Sequence, residues 1–269
     1  AIDKHRLQLE VCPPDWSTIT ALVMDEFALF KGHRYASVVA DAHTHQVLWV
    51  GEGRSREAVR PFFEQLGEHA LNIKAVAMDM NTAFDLEVQK HCPNAVVVYD
   101  LFHVIAKYGR EVIDRVRLDE VRAQQDGAAR RWIKRARWVL LKNRQNMDAS
   151  QQNYLAQLLE ANRNLTVIYL LKEQLKELWY CNTREQAQLQ WDLWWQQVQE
   201  SGLEPLQRFA AKLKPYLHGI LASATHRLHT SRLEGINNKI KVIKRMAYGY
   251  RDTEYFFLKI RAAFPGIRR

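Results

Sequence analysis

The sequence predicts an α/β fold: a mixed sheet flanked by helices, with a large all-helical segment inserted before its last part. Three observations carry that prediction. Strand-like runs with meander spacing open the chain, a strand–helix–strand rhythm follows them, and near Lys107 the pattern changes abruptly to helical periodicity.

Taken in order, Thr18–Met24, Tyr35–Ala40 and Gln46–Val50 are rich in Val and aromatic residues and are separated by polar turns such as Lys31-Gly32-His33. They read as antiparallel neighbours. Ser55–Leu66 carries Val59, Phe62, Phe63 and Leu66 at helical spacing, and Ile73–Met78 is a short continuous apolar run. A helix at Ala83–His91 and a run at Ala95–Tyr99 repeat the rhythm, so parallel strands are expected after the meander. From about Lys107 to Lys214, Leu and Trp recur at helical intervals among Gln, Glu, Arg and Lys, and six of the eight Trp lie there. The cluster Trp191, Trp194 and Trp195 is expected to pack rather than to serve as a stacking platform. A last helix opens near Ser231 and runs towards Met246, with Gly249 close to its stop. The expected parts are residues 1–106 as the first part of the core, 107–215 as the helical insertion and 216–269 as the basic C-terminal part of the core.

Composition narrows the function classes. The 269 residues are 47% hydrophobic and 26% charged, which suits one large domain or a domain with a sizeable insertion. No apolar run reaches the roughly 20 residues that span a bilayer, and no secretory pattern opens the chain; a cytosolic protein with no membrane partner is expected. Cys12, Cys92 and Cys181 are scattered without a Cys-x-x-Cys pair, which supports neither a disulfide framework nor a zinc module. The net charge is +9, and residues 227–269 hold 11 Lys and Arg against three acids. A polyanionic partner acting on the C-terminal part follows.

Three apolar runs end on an acid: Leu22-Val23-Met24-Asp25, Val76-Ala77-Met78-Asp79 and Val97-Val98-Tyr99-Asp100. Groups just outside strand ends converge on the crevice where ligands bind in an open α/β sheet. Adjacent carboxylates repel unless a proton or cation joins them, and a donor set rich in Asp and poor in His and Cys favours Mg²⁺ or Mn²⁺. Each of these Asp residues also suits a turn or a helix cap, Asp100 above all. Glu234 is the remaining candidate. Ser231 and Glu234 have the spacing of a capping box, while Glu234, Asn238, Lys241 and Arg245 form one helical stripe of carboxylate, amide and two cations. No acid follows Glu234 on this helix, which also bears Lys239 and Lys244; such a face suits metal and phosphate.

At these residues the sequence resembles the DDE transposases of bacterial insertion sequences, specifically the ISL-three family. The stretch Ser-Arg-Leu-Glu-Gly-Ile-Asn-Asn-Lys-Ile-Lys from Ser231, with its continuation Val-Ile-Lys-Arg-Met-Ala-Tyr-Gly-Tyr-Arg, carries the resemblance. So do Val-Met-Asp-Glu-Phe with Lys31-Gly32-His33-Arg34-Tyr35, Met78-Asp79-Met80, and Tyr99-Asp100-Leu101-Phe102-His103-Val104. The resemblance implies an RNase H-like fold with Asp25 on the first strand, Asp79 on the fourth and Glu234 on the late helix as catalytic residues and metal ligands. It implies cleavage and strand transfer of DNA with two Mg²⁺ or Mn²⁺ ions, on transposon ends and target duplex, by a homodimer or higher multimer in the bacterial cytosol. Lys31, Asn238, Lys239, Lys241, Lys244 and Arg245 are the DNA-binding candidates. Asp100 and His103 are accessory candidates, although a lone His is more often structural. Zinc-binding and helix-turn-helix segments that the family carries at its N-terminus are absent from this sequence, so a catalytic-domain fragment or truncated copy is expected. Two other readings stay open: an RNase H-like nuclease without strand transfer, and an inactive DNA-binding remnant.

Overall fold

The computed structural model describes all residues except Ala1, Cys12, Lys31, His33, Arg227, His229, Thr230, Tyr248, Arg268 and Arg269, and omits the side chains of residues 2 and 231–234. It divides into two compact units, one made of residues 1–100 with 226–269 and the other of residues 101–225. The segment 107–215 expected as a helical insertion lies within the second of these.

The first unit opens with helix α1 (Ile2–Glu10) and continues into strands β1 (Ala21–Phe30), β2 (Arg34–Asp41) and β3 (Val47–Glu52). Helix α2 (Arg56–Leu66) leads to β4 (Ala75–Met78), and α3 (Thr82–His91) to β5 (Val96–Tyr99). One five-stranded sheet results, in the order β3-β2-β1-β4-β5. β1, β2 and β3 pair antiparallel, whereas β4 and β5 run parallel to β1. This is the RNase H-like mixed sheet that the resemblance implies. The chain reverses twice through short turns and then crosses over through helices, as parallel pairing requires.

β4 is a continuous run, Ala75-Val76-Ala77-Met78, buried on both faces, the composition a central parallel strand needs. α2 is amphipathic: Ser55 caps it by accepting from the Ala58 amide, and Val59, Phe62, Phe63 and Leu66 form its buried face. The corner before it needs Gly53, whose φ is +92° and where a Cβ would lie 2.7 Å from Ala58 Cβ.

The second unit is helical throughout, as the change of periodicity predicts: α4 (Leu101–Tyr108), α5 (Asp114–Ala123), α6 (Gly127–Arg135), α7 (Arg137–Leu141), α8 (Ala149–Ala161), α9 (Arg163–Glu177), α10 (Arg184–Glu200), α11 (Glu204–Leu213) and α12 (Leu217–Ala222). A single π-helical turn, Gly109–Ile113, joins α4 to α5. Trp191 and Trp194 are buried, with ring centroids 5.2 Å apart, and the Trp194 indole donates to the Leu171 carbonyl at 2.8 Å. These rings are packing elements, and Trp195 closes the cluster at its rim beneath Lys214.

The chain then returns to the first unit with α13 (Ser231–Met246) and α14 (Thr253–Ala263). Ile236 and Ile240 of α13 and Phe256 and Ile260 of α14 pack in one core with Val23, Phe27, Val38 and Ala77 of the sheet. α13 is thereby fixed against one face of β1. Among the described residues, no helix is long and apolar enough to cross a membrane.

Candidate active site

In the parallel register Met24 lies opposite Met78, and Met78 opposite Tyr99. The next residue along each chain is an acid, so Asp25, Asp79 and Asp100 stand side by side across three neighbouring strands. Side chains alternate along a strand. Val23 and Ala77 point into the core shared with α13, and Asp25 and Asp79, two residues on, have the same parity.

One expectation needs correction. β1 does not finish at Asp25 but continues to Phe30. Phe27 and Leu29 are buried, and β2 pairs with β1 well past Asp25, whereas β4 stops at Met78. Asp25 is therefore mid-strand on one side and at the end of the parallel pairing on the other. The sheet splits there, opening a cleft of about 290 Å³ whose walls include Asp25, Asp79, Asn81, Thr82 and Arg54. A crevice at the ends of parallel strands is where α/β sheets place ligands.

Asp25 is held from two sides. Its Oδ1 accepts from the Glu26 amide at 2.7 Å, and its Oδ2 accepts from Asn237 Nδ2 of α13 at 2.5 Å. The other amide atom, Asn237 Oδ1, is buried and has no hydrogen-bond partner among the described residues. Asp79 begins the turn into α3. Its carbonyl accepts from the Asn81 amide at 2.6 Å, and Asn81 Oδ1 caps α3 by accepting from Ala83 and Phe84. Asn81 Nδ2 donates to Glu26 Oε2 at 3.1 Å, while Glu26 Oε1 accepts from Arg54 at 2.5 Å. Glu26 thus brackets β1 to the turn that carries Asp79, setting the spacing of the two acids. Neither Glu26 nor Asn237 stands out in the sequence. The available signal was that Asn237, Ile240, Lys241 and Lys244 form an i, i+3, i+4, i+7 stripe.

Glu234 lies in the first turn of α13, and its side chain, like that of Ser231, is outside the described residues, as is Lys31. Asn238 is exposed and its Oδ1 lies 3.4 Å from Lys241 Nζ; it is Asn237 that reaches Asp25. Lys241, Lys244 and Arg245 line a second cleft, of about 670 Å³, against Phe27 and Ala28 of β1. Lys244 Nζ also donates to the Ala28 carbonyl at 3.2 Å. Lys239 instead donates to the Ala263 carbonyl at 2.9 Å and lies over the Phe264 ring. Asp100 is half-buried and its amide donates to the Met78 carbonyl. His103 belongs to α4 in the second unit, edge-on to Phe102 at 5.5 Å.

Among the described residues, no group of three or more His, Cys, Asp or Glu converges to hold a metal ion. Asp25 and Asp79 supply two carboxylates, and the amide oxygen of Asn237 lies beside the first. This all-oxygen set fits a hard divalent cation.

Comparisons with known proteins point to one family. The family model for ISL3-type DDE transposases, described as transposase, matches residues 22–260. The chain is 59% identical over 270 residues to the transposase for insertion sequence element IS1001 of Bordetella parapertussis, covering 100% of this chain and 66% of that protein. It is 28% identical over 262 residues to the transposase for insertion sequence element IS1557 of Mycobacterium tuberculosis, covering 89% of this chain and 59% of that one. The chain therefore spans about two thirds of the length of these relatives or less. The solved Drosophila P element transposase strand transfer complex aligns with 96% of this chain and 79% of its own, at a TM-score of 0.47 and 9% identity. With the family model matching most of its length, the chain belongs to the ISL3-type DDE transposase family.

Proposed function

We propose that the first unit cleaves DNA at the ends of an insertion sequence and transfers the cut strand to target DNA, with Asp25, Asp79 and Glu234 as the ligands of two Mg²⁺ or Mn²⁺ ions. The observation that supports this best is the placement of Asp25 and Asp79 just past the last paired residues of two adjacent parallel strands, with the parity of the face against which α13 packs. Two carboxylates so placed repel each other unless a cation or proton lies with them. Asp25, Asp79 and Glu234 would hold the ions, whose chemistry would be activation of a water or a DNA 3′-hydroxyl and charge neutralisation at the leaving oxygen.

The chain's own contribution is positioning. Asn237 and the Glu26 amide orient the Asp25 carboxylate, and the Glu26–Asn81 bracket fixes the turn bearing Asp79. Lys241 and Arg245, exposed in the cleft beside β1, neutralise backbone phosphates, with Lys31, Asn238, Lys239 and Lys244 as further contacts. Asp100 is an accessory group of this unit. In this reading residues 107–215 are a helical insertion between two parts of the catalytic core, and the protein acts in the bacterial cytosol as a multimer assembled on DNA.

The test is strand joining. The protein is incubated with Mg²⁺ or Mn²⁺, a labelled duplex with a pre-cut 3′ end of the element, and target duplex. Metal-dependent joined products are expected. Cleavage without joining selects a nuclease, and binding without either selects a DNA-binding remnant.

A further inference from the structure

We propose that the helical unit carries a DNA-backbone site of its own, a cationic and aromatic cleft between α6 and α8. The inference rests on the reading that this protein works on DNA. It begins with charge: residues 127–147 contain seven Lys and Arg and no acid. Solvated helix faces usually mix both signs.

The structure gathers that charge on one surface. α6 buries Ile133 and leaves Arg130, Arg131, Lys134 and Arg135 exposed. Arg131 and Arg135 are one helical turn apart and so share a face. They line a cleft of about 480 Å³ with Trp132 of α6 and with Ser150, Gln151 and Tyr154 at the start of α8. Its floor is fixed: the Tyr154 hydroxyl donates to the Trp132 carbonyl at 2.5 Å, and the two rings meet edge-on at 5.7 Å. Burial raises the pKa of that hydroxyl, so it stays a neutral donor.

The acids nearest in sequence are already engaged. Asp126 accepts from the Ala129 amide at 2.8 Å and Asp148 from the Gln151 amide at 2.9 Å, each capping a helix. Glu120 accepts from Asn162 and Asn164, Asp119 pairs with Arg115 and Arg122, and Asp114 takes Arg117 and Arg137. Among the described residues, no ion pair engages Arg130, Arg131, Lys134 or Arg135. Lys142 adds a further cation by donating to Gln151 Oε1 at 2.7 Å. Two guanidinium forks beside the Ser150 hydroxyl, the Gln151 amide and a half-buried indole match phosphate oxygens and the sugar edge of a nucleic acid strand.

The experiment titrates the full chain against a labelled duplex of random sequence over a salt series. The variants are Arg131→Glu/Arg135→Glu, the milder Arg131→Gln/Arg135→Gln, and a charge-matched control, Arg163→Glu/Arg184→Glu, elsewhere on the same unit. Both cleft variants are expected to keep the wild-type thermal midpoint. The Gln pair should lower the slope of log affinity against log salt by about 2, near 0.9 per lost phosphate contact, and the Glu pair should weaken binding at least about tenfold. The control should change affinity less than either. Equal losses in cleft and control variants, or an unchanged slope, would overturn the site by reducing it to net charge. Metal-dependent joining is measured in parallel: a failed slope test with joining intact refutes only the cleft, and absent joining with the slope change present refutes only the transposase chemistry.

Discussion

The Asn237 amide donates to the Asp25 carboxylate at 2.5 Å across 212 residues of chain. That bond ties the middle of β1 to α13 and leaves one carboxylate oxygen of Asp25 to the Glu26 amide and the cleft. Groups that orient a metal ligand usually matter about 10–100-fold. Asn237→Ala should therefore lower metal-dependent cleavage by about that factor and raise the Mn²⁺ concentration for half-maximal rate. Asn238→Ala, on the exposed side, should leave the Mn²⁺ requirement unchanged and lower DNA affinity alone. Equal effects at the two positions would show that the hydrogen bond has no positioning role.

Cations on α13 should separate into two classes. Lys241→Ala and Arg245→Ala are expected to weaken DNA binding and to lower the salt slope by about 1 each. Lys239 is committed to the Ala263 carbonyl and the Phe264 ring, so Lys239→Ala should cost about 1 kcal/mol of stability with a smaller change in slope. Salt-dependent binding and urea unfolding on the same variants distinguish the two outcomes.

Glu87, with a fully buried side chain on α3, accepts from Arg56 at 2.8 Å and lies 3.5 Å from Arg60. Burial pushes its pKa up, but the two guanidinium groups outweigh it and hold the carboxyl below the ordinary 4.5. A carboxyl whose pKa is lower folded than unfolded stabilises the fold above the unfolded value, and that stabilisation is lost as pH falls through the folded value. Glu87→Gln should cost about 1–2 kcal/mol near neutral pH, because it removes charge-assisted hydrogen bonds whose arginine partners stay partly in solvent. The gap to wild type should narrow as pH falls below 4.5; urea midpoints across that range are the check.

Much of the sheet is legible in the sequence because β4 and β5 are short continuous apolar runs bounded by turns and α2 has a clear buried stripe. The far half of β1 is not, because an acid pair interrupts its apolar run and only pairing with β2 extends it to Phe30. The acids were visible at strand ends. What positions them was not: Glu26 reaches Asn81 and Arg54 across turns, and Asn237 reaches Asp25 from 212 residues away in the sequence. Such bonds depend on register and helix rotation rather than on any local pattern. Helical spacing alone grouped Asn238 with Lys241 and Arg245, whereas packing of Ile236 and Ile240 on the sheet rotates α13 so that Asn237 meets the strand.

The identity of the third acid decides where the metal site lies. Single-turnover cleavage of a duplex carrying the element end is measured in Mn²⁺ for wild type, Asp25→Ala, Asp79→Ala, Glu234→Ala and Asp100→Ala. Background rates are expected for the first three variants with DNA affinity retained, and measurable cleavage for Asp100→Ala. An active Glu234→Ala beside a dead Asp100→Ala would contradict this expectation, returning Glu234 to the capping box with Ser231 and moving the metal site along the row of strand-end acids to Asp100.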